Sequence, residues 1–373
     1  MRRLIAPSCD KHAQQTNAVL VRLQKGRRSA VKESNIIGMD LGDKKHVVCV
    51  LNAAGEVVTQ TTVPATPEAV TKFFQRYRGA VVAMETGTHS RWVSRLATAA
   101  GLEALVGNAR KLRALWANER KSDYRDAEML ARIARLDRQL LYPIHHRDEA
   151  TQARLVLIQA RDGLVGARSA LINQVRGLVK GFGARLRACS AECFHKQKLP
   201  EAVAAALAPV MTAIEQLTAQ IRHYDREVTA QAAAQPAVQR LTQVPGVGDL
   251  TALAFVLTLD EVGRFEKSRS VGAFLGLVPR RDQSGQTDKP LRITKTGDRY
   301  LRRLLVGSAH YILGPFGPPC DLRAYGARIA ARGGKNAKKR AVVAVARKLA
   351  VLLHALWKNG ADYQPQRVLP SAA

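Results

Sequence analysis

The sequence predicts a mixed α/β domain followed by a longer, mostly α-helical region. Three observations carry this. Between Asn35 and Asn108, apolar runs of strand length alternate with amphipathic helical patterns. From about Pro143 onward apolar residues recur at spacings of three and four, with few strand-like runs. The hydrophobic share of 46% is that of a chain able to bury a core.

The elements follow in order. IIGMDLG, from Ile36, is an apolar run closed by an acid and a glycine, and it reads as a strand. HVVCVLN (His46 to Asn52) reads as a second strand, and Ala54-Gly55 as the turn into a third, EVVTQTTV (Glu56 to Val63). Thr66 then caps a helix with Pro67 at its first position. AVVAMETG is a fourth strand ending near Glu85, SRWVSRLATAAG a helix closed by Gly101, and EALVGN a fifth strand. A helical stretch over residues 109–136 completes the domain. Three strands in a meander, then helix, strand, helix, strand, helix, is the order of a ribonuclease H-like fold, with the later strands parallel to the first.

The divisions predicted are a basic leader (1–34), the α/β domain (35–142), a helical, coiled-coil-like region (143–235) and a C-terminal, mostly α domain (236–365). In the helical region Arg154, Arg161, Arg168 and Arg176 recur near heptad spacing. That stripe reads either as the solvated face of a long hairpin or as a row of cations for a phosphate backbone. LTQVPGVGDLTALAFVL, from Leu241, has the glycine turn of a helix-hairpin-helix element, whose N–H groups can approach phosphate. RRDQSGQTDKP, from Arg280, reads as a polar loop. Trp357 and the leucines around it read as core.

The net charge of +29 points to a polyanionic partner, nucleic acid first. No run of about 18 apolar residues is present, so no membrane span is expected. The five scattered cysteines fit a reducing, cytoplasmic setting, here one associated with the nucleoid. Cys189, Cys193 and His195 lack a fourth ligand for structural zinc, so the thiols read as incidental.

Two groups of residues carry candidate chemistry. Asp40 and Glu85 sit at the ends of apolar strands, and a carboxylate there needs a partner. Asp123 and Asp126 lie three apart, on one helix face, in a stretch where aspartate is a poor helix former. Taken singly, Asp126 could pair with Arg125 or Arg132, and Asp123 could cap a helix after a break at Ser122. Together the four are a set of hard oxygen ligands suited to Mg²⁺, and two such ions can clamp an in-line phosphoryl displacement. The second group is Ser284, before Gly285, flanked by Arg280, Arg281, Lys289, Arg292 and Lys295. A nucleophilic serine needs access, a base and positive charge; no general base is visible nearby, and on local sequence alone a turn serine is the favoured reading.

Several stretches together resemble one family: IIGMDLGDKKHVVCVLN, VVAMETGTHSRWVSRLATAAG, NARKLRALWANERKSDYRDAEMLARIA, LTQVPGVGDLTALAFVL and AFLGLVPRRDQSGQTDKPLRITKTGDRYLRRLL. They look like the DEDD-type insertion-sequence transposases, the bridge-RNA-guided recombinases related to Piv-type DNA invertases. The resemblance covers about residues 36–315. It implies a RuvC-like domain whose D-E-D-D acids are Asp40, Glu85, Asp123 and Asp126, holding Mg²⁺. It implies a C-terminal serine, Ser284, that forms a covalent link to DNA, with Ser268, Ser270 and Thr294 as neighbouring alternatives. It further implies donor and target DNA, a noncoding bridge RNA, and a dimer or tetramer. Three other readings stay open on the residues: a hydrolytic junction resolvase using the acids alone, a phosphotransferase of the sugar-kinase type suggested by IGMDLG, and a non-catalytic nucleic-acid-binding scaffold.

Overall fold

The computed structural model describes residues 35–112, 122–285 and 287–366. The predicted leader (1–34) and the middle of the predicted 109–136 helix lie outside them. The chain divides into two compact units, one up to His146 and one from Arg147.

The first unit is built on a five-stranded sheet. Its strands are β1 (Ile36–Leu41), β2 (Lys45–Leu51), β3 (Val57–Pro64), β4 (Val81–Glu85) and β5 (Glu103–Gly107), in the spatial order β3-β2-β1-β4-β5. β1 and β2 pair antiparallel, as do β2 and β3, while β4 runs parallel to β1 and β5 to β4. The strand directions are those the sequence predicts. The three middle strands read as near-continuous apolar runs because both faces of the sheet are covered. On one face Ile37, Met39, Val48, Val50, Val82 and Met84 pack beneath α1 (Pro67–Gln75) and α2 (Ser90–Ala99). The Thr66 hydroxyl accepts from the Ala69 N–H and starts α1 as expected. Beyond β5 lies the short α3 (Ala109–Leu112), and the opposite face of the sheet is covered by α4 (Asp123–Leu136).

The second unit opens with two helices of 33 residues each, α5 (Glu149–Gly181) and α6 (Glu201–Ala233). At 1.5 Å per residue each is about 50 Å long. Asp148 caps α5 by accepting from the Thr151 N–H, which holds its carboxyl below the ordinary aspartate range. The helices run antiparallel. Arg161 Nε donates to Asp225 at 2.5 Å, Arg168 Nη1 to the Thr218 hydroxyl at 3.3 Å, and Arg176 lies over the Phe194 ring. This corrects both readings of the arginine stripe: Arg161, Arg168 and Arg176 face neighbouring elements of the hairpin, and Arg168 is buried. Arg154 alone of the four is exposed. At the far end Ile172, Val175, Val179, Phe194, Leu207 and Ile214 form a small core. α6 also corrects the membrane reading, for by length and composition it could cross a bilayer, with a mean hydropathy of 1.4 in its most apolar window. Its buried residues belong instead to the hairpin and to the core of this unit.

That core is formed by α8 (Asp249–Leu259), buried from Thr251 to Leu259, among α7 (Pro236–Thr242), α10 (Arg299–Leu313) and α12 (Ala337–Asn359). α9 (Arg269–Phe274) and α11 (Asp321–Ala331) also pack on it. Trp357 packs against this core, as predicted. The expected polar loop is a two-stranded antiparallel hairpin, β6 (Pro279–Ser284) and β7 (Thr287–Ile293). A hairpin of two strands consists only of edges, so it tolerates Pro279, Pro290 and a polar sequence that hides its strand character.

Candidate active site

The position of the four acids follows from one close approach. A Cβ at Gly38, in the middle of β1, would lie 1.9 Å from the Ala127 carbonyl oxygen and 2.7 Å from the Ala131 nitrogen. Only glycine lets α4 lie directly on the strand backbone. The helix direction is set at its other end, where Arg135 Nη2 donates to the Ala53 carbonyl at 3.0 Å, just beyond Leu51, the partner of Ile36. The C-terminal half of α4 therefore lies over the start of β1, and its first turn points toward the strand's end, where Asp40 sits.

Register does the rest. Side chains alternate across a strand, so Asp40 shares the face of Gly38. Gly38 pairs with Ala83 of β4, and Ala83 packs with Leu130 and Ala134 of α4. Glu85, two residues on, projects to the same face one strand over. On the helix, Ala127 and Ala131 pack toward β2, and Leu130 and Ala134 toward β4. Asp123 extends the first row by one turn and Asp126 the second. All four predicted acids thus come to one end of the sheet, on one face. Asp40, Glu85 and Asp126 are half-buried and Asp123 is exposed.

The local puzzle of the two aspartates has a simple answer. Asp123 is the first residue of α4, Ser122 is extended before it, and Asp126 is still in the first turn. Acids there are favoured by the unpaired N–H groups and the helix dipole. Arg132 is committed to Glu128, with Nε donating at 2.8 Å, and among the described residues no ion pair joins it to Asp126.

The donor chemistry fits a hard divalent cation, since all four groups are carboxylates at the open end of a sheet. Among the described residues, however, no three of these side chains, nor any three His, Cys, Asp or Glu, close on one point as a ready metal cluster. That holds for Cys189, Cys193 and His195 too: Cys193 is exposed, the Cys189 thiol accepts from Gln197, and His195 lies 3.7 Å from Glu215.

Sequence reasoning missed a histidine pair at the same end of the sheet, on the other face. His46 is fully buried, and its ring lies near those of His89 and Trp92. Burial first, and His89 second, push its pKa below the ordinary histidine value. His89 Nδ1 accepts from the Trp92 indole at 3.1 Å, which leaves Nε2 to carry the proton, 3.6 Å from Asp43. A histidine heading an apolar strand, and another four residues after Glu85, were the available signals.

Ser284 is the last residue of β6, paired in register with Thr287, and Gly285 follows at φ +55°. Arg280, Arg281, Arg292 and Lys295 are exposed around the hairpin and its base. The alternatives sit differently. The Ser268 hydroxyl is bonded to His354 Nδ1, Thr294 to the Thr296 hydroxyl, and Ser270 lies in α9. The hairpin base is rigid, for Arg302 Nη1 donates to the carbonyls of Leu275, Thr296 and Asp298. A Cβ at Gly297 would lie 2.0 Å from the Phe274 carbonyl oxygen.

An α/β unit with acids at its strand ends, in a chain of net charge +29, fits the class of nucleic-acid-processing proteins. Comparison with known proteins makes this specific. The DEDD transposase model of the IS110 family matches residues 37–183, and the model for transposases of the IS116/IS110/IS902 family matches residues 238–318. The transposase for insertion sequence element IS1111A of Coxiella burnetii is 29% identical, over 91% of this chain and 94% of its own. The transposase for insertion sequence element IS1328 of Yersinia enterocolitica is 28% identical, over 74% of this chain and 82% of its own. The chain belongs to the IS110-family transposases, enzymes that cut and rejoin DNA.

Proposed function

We propose that this transposase mobilises its insertion sequence with a divided active site. Asp40, Glu85, Asp123 and Asp126 form a RuvC-like, ribonuclease H-like centre that would hold Mg²⁺. When bound, the ion supplies Lewis-acid stabilisation of the charge that builds on a phosphoryl oxygen. The acids fix where that charge is met, and the glycine contact at Gly38 fixes the acids. Ser284 is the nucleophile. Its oxygen forms a bond to phosphorus, the bond from phosphorus to the leaving strand oxygen breaks, and the serine proton is lost as the leaving oxygen gains one. Arg280, Arg281 and Arg292 offset the negative charge of the crowded phosphate. The turn before α8 acts as a helix-hairpin-helix contact to the DNA backbone. A bridge RNA selects donor and target, and the protein works as a dimer or tetramer.

The observation that supports this reading is the joint register of β1, β4 and α4, by which acids from three separate elements lie toward one sheet end. The test is a cleavage assay on DNA with the element's ends, Mg²⁺ and co-purified RNA, resolved on a denaturing gel. A protein–DNA adduct in the wild type that is missing in Ser284→Ala is expected. Metal-dependent nicks that persist in Ser284→Ala would reduce the enzyme to a hydrolytic resolvase. DNA binding with no product at all would make it a scaffold.

A further inference from the structure

α10 ends at Leu313, and Gly314-Pro315-Phe316-Gly317-Pro318-Pro319 leads on toward α11. Phe316 is 83% exposed, the most exposed large apolar side chain among the described residues. The loop that carries it is nevertheless tightly held. Arg323 Nη1, from α11, donates to the carbonyls of Ile312 at 2.9 Å, Gly314 at 2.7 Å and Gly317 at 2.7 Å. A Cβ on Gly317 would lie 2.3 Å from the Ile312 carbonyl oxygen, so the turn folds back on the helix end. Prolines fix the backbone φ at three of the six positions. The loop backbone is anchored, and the phenyl ring is left in solvent.

A rigid loop held by a half-buried arginine, with its aromatic ring turned outward, has the form of a preorganised contact. We propose that Phe316 is a stacking platform for an unpaired base of single-stranded nucleic acid. Charge selects that partner over an apolar protein surface. From Arg299 to Arg332 the chain carries six arginines against one acid, Asp321. The same helix end seats a second nucleic-acid feature. A Cβ on Gly246, in the turn before α8, would lie 3.0 Å from the Tyr311 ring, and Tyr311 is itself 47% exposed. A glycine turn suited to a phosphate and an aromatic ring suited to a base thus meet at the end of α10. Stacking needs no particular base, because every base presents a π face. The inference rests on the family's action on nucleic acid and is independent of Ser284.

The test uses the full-length protein and a single-stranded oligonucleotide of about 20 nucleotides carrying one 2-aminopurine, longer than one such site. Phe316→Ala is expected to weaken binding about five- to a hundredfold, as loss of one stacked base does. The slope of affinity with salt is expected to stay constant, since no phosphate contact is lost. Phe316→Trp should keep wild-type affinity and gain an indole emission, above the wild-type background, that the oligonucleotide quenches. Phe316→Leu should behave like Phe316→Ala, and none of the three should shift the melting temperature. Unchanged binding by Phe316→Ala would overturn the proposal. So would full affinity in Phe316→Leu, or a change in oligomeric mass in Phe316→Ala, which would make the ring a protein contact.

Discussion

At Gly38 a missing side chain sets the distance between a strand and a helix, and with it the place of two aspartates. Gly38→Ala would push a methyl group into the Ala127 carbonyl, 1.9 Å from the ideal Cβ. Its expected cost is about 3 kcal/mol, the upper end of the range for overpacking, read from the denaturant midpoint. DNA cleavage should fall with it, although glycine performs no chemistry. Asp126→Asn is the opposite case. It removes a favourable charge from the first turn of α4 and also relieves repulsion with Asp123. Stability should change by no more than about 0.5 kcal/mol while cleavage is lost. An equal loss of both in a melting experiment would make Asp126 a folding residue. Asp40 and Glu85 were legible as apolar strands ending in acids. The start of α4 at Asp123 was legible as one of two readings of the same oddity, two aspartates in a good helix, and the structure places the cap one residue earlier than that reading, at Ser122.

At the scale of elements, the arginine row of α5 shows where sequence periodicity stops. Heptad spacing gives the face and says nothing of what covers it. Arg161 and Arg168 turn to Asp225 and Thr218 on α6. Arg168→Met should therefore be neutral or stabilising, since a buried cation is costly to desolvate, whereas Arg168→Ala should destabilise through lost packing. Neither should alter the salt slope of DNA binding. A fall of about one unit in that slope would return Arg168 to the phosphate backbone. The strands of the first unit were readable because burial on both faces makes them continuous apolar runs. The β6–β7 hairpin was not, because its residues are mostly polar and Arg280, Arg281, Asp282, Gln283, Leu291 and Arg292 are exposed. What marks it in sequence is the Ser284-Gly285 turn signal, weaker than hydrophobicity.

For the whole molecule, each unit holds a buried histidine whose pKa lies below the ordinary 6.5, His46 in the first and His354 in the second. Burial is the first cause in both. Above pH 6.5 both rings are mostly neutral, folded or unfolded. As the pH falls below that value the unfolded chain takes up protons before the folded one, and stability declines toward the folded pKa. Melting temperature is expected to drop between about pH 7 and about pH 5, and His46→Gln and His354→Gln should each flatten that decline. A melting curve indifferent to pH in this window would mean the two rings are solvated.

Manganese binding tests the four-acid centre most directly, because Mn²⁺ stands in for Mg²⁺ and is seen by electron paramagnetic resonance without any DNA. Titration of the wild type should show bound Mn²⁺. Asp40→Asn, Glu85→Gln, Asp123→Asn and Asp126→Asn should each weaken it clearly, with folding checked by the melting temperature of every variant. Wild-type Mn²⁺ affinity in all four well-folded variants would contradict a metal centre at this end of the sheet.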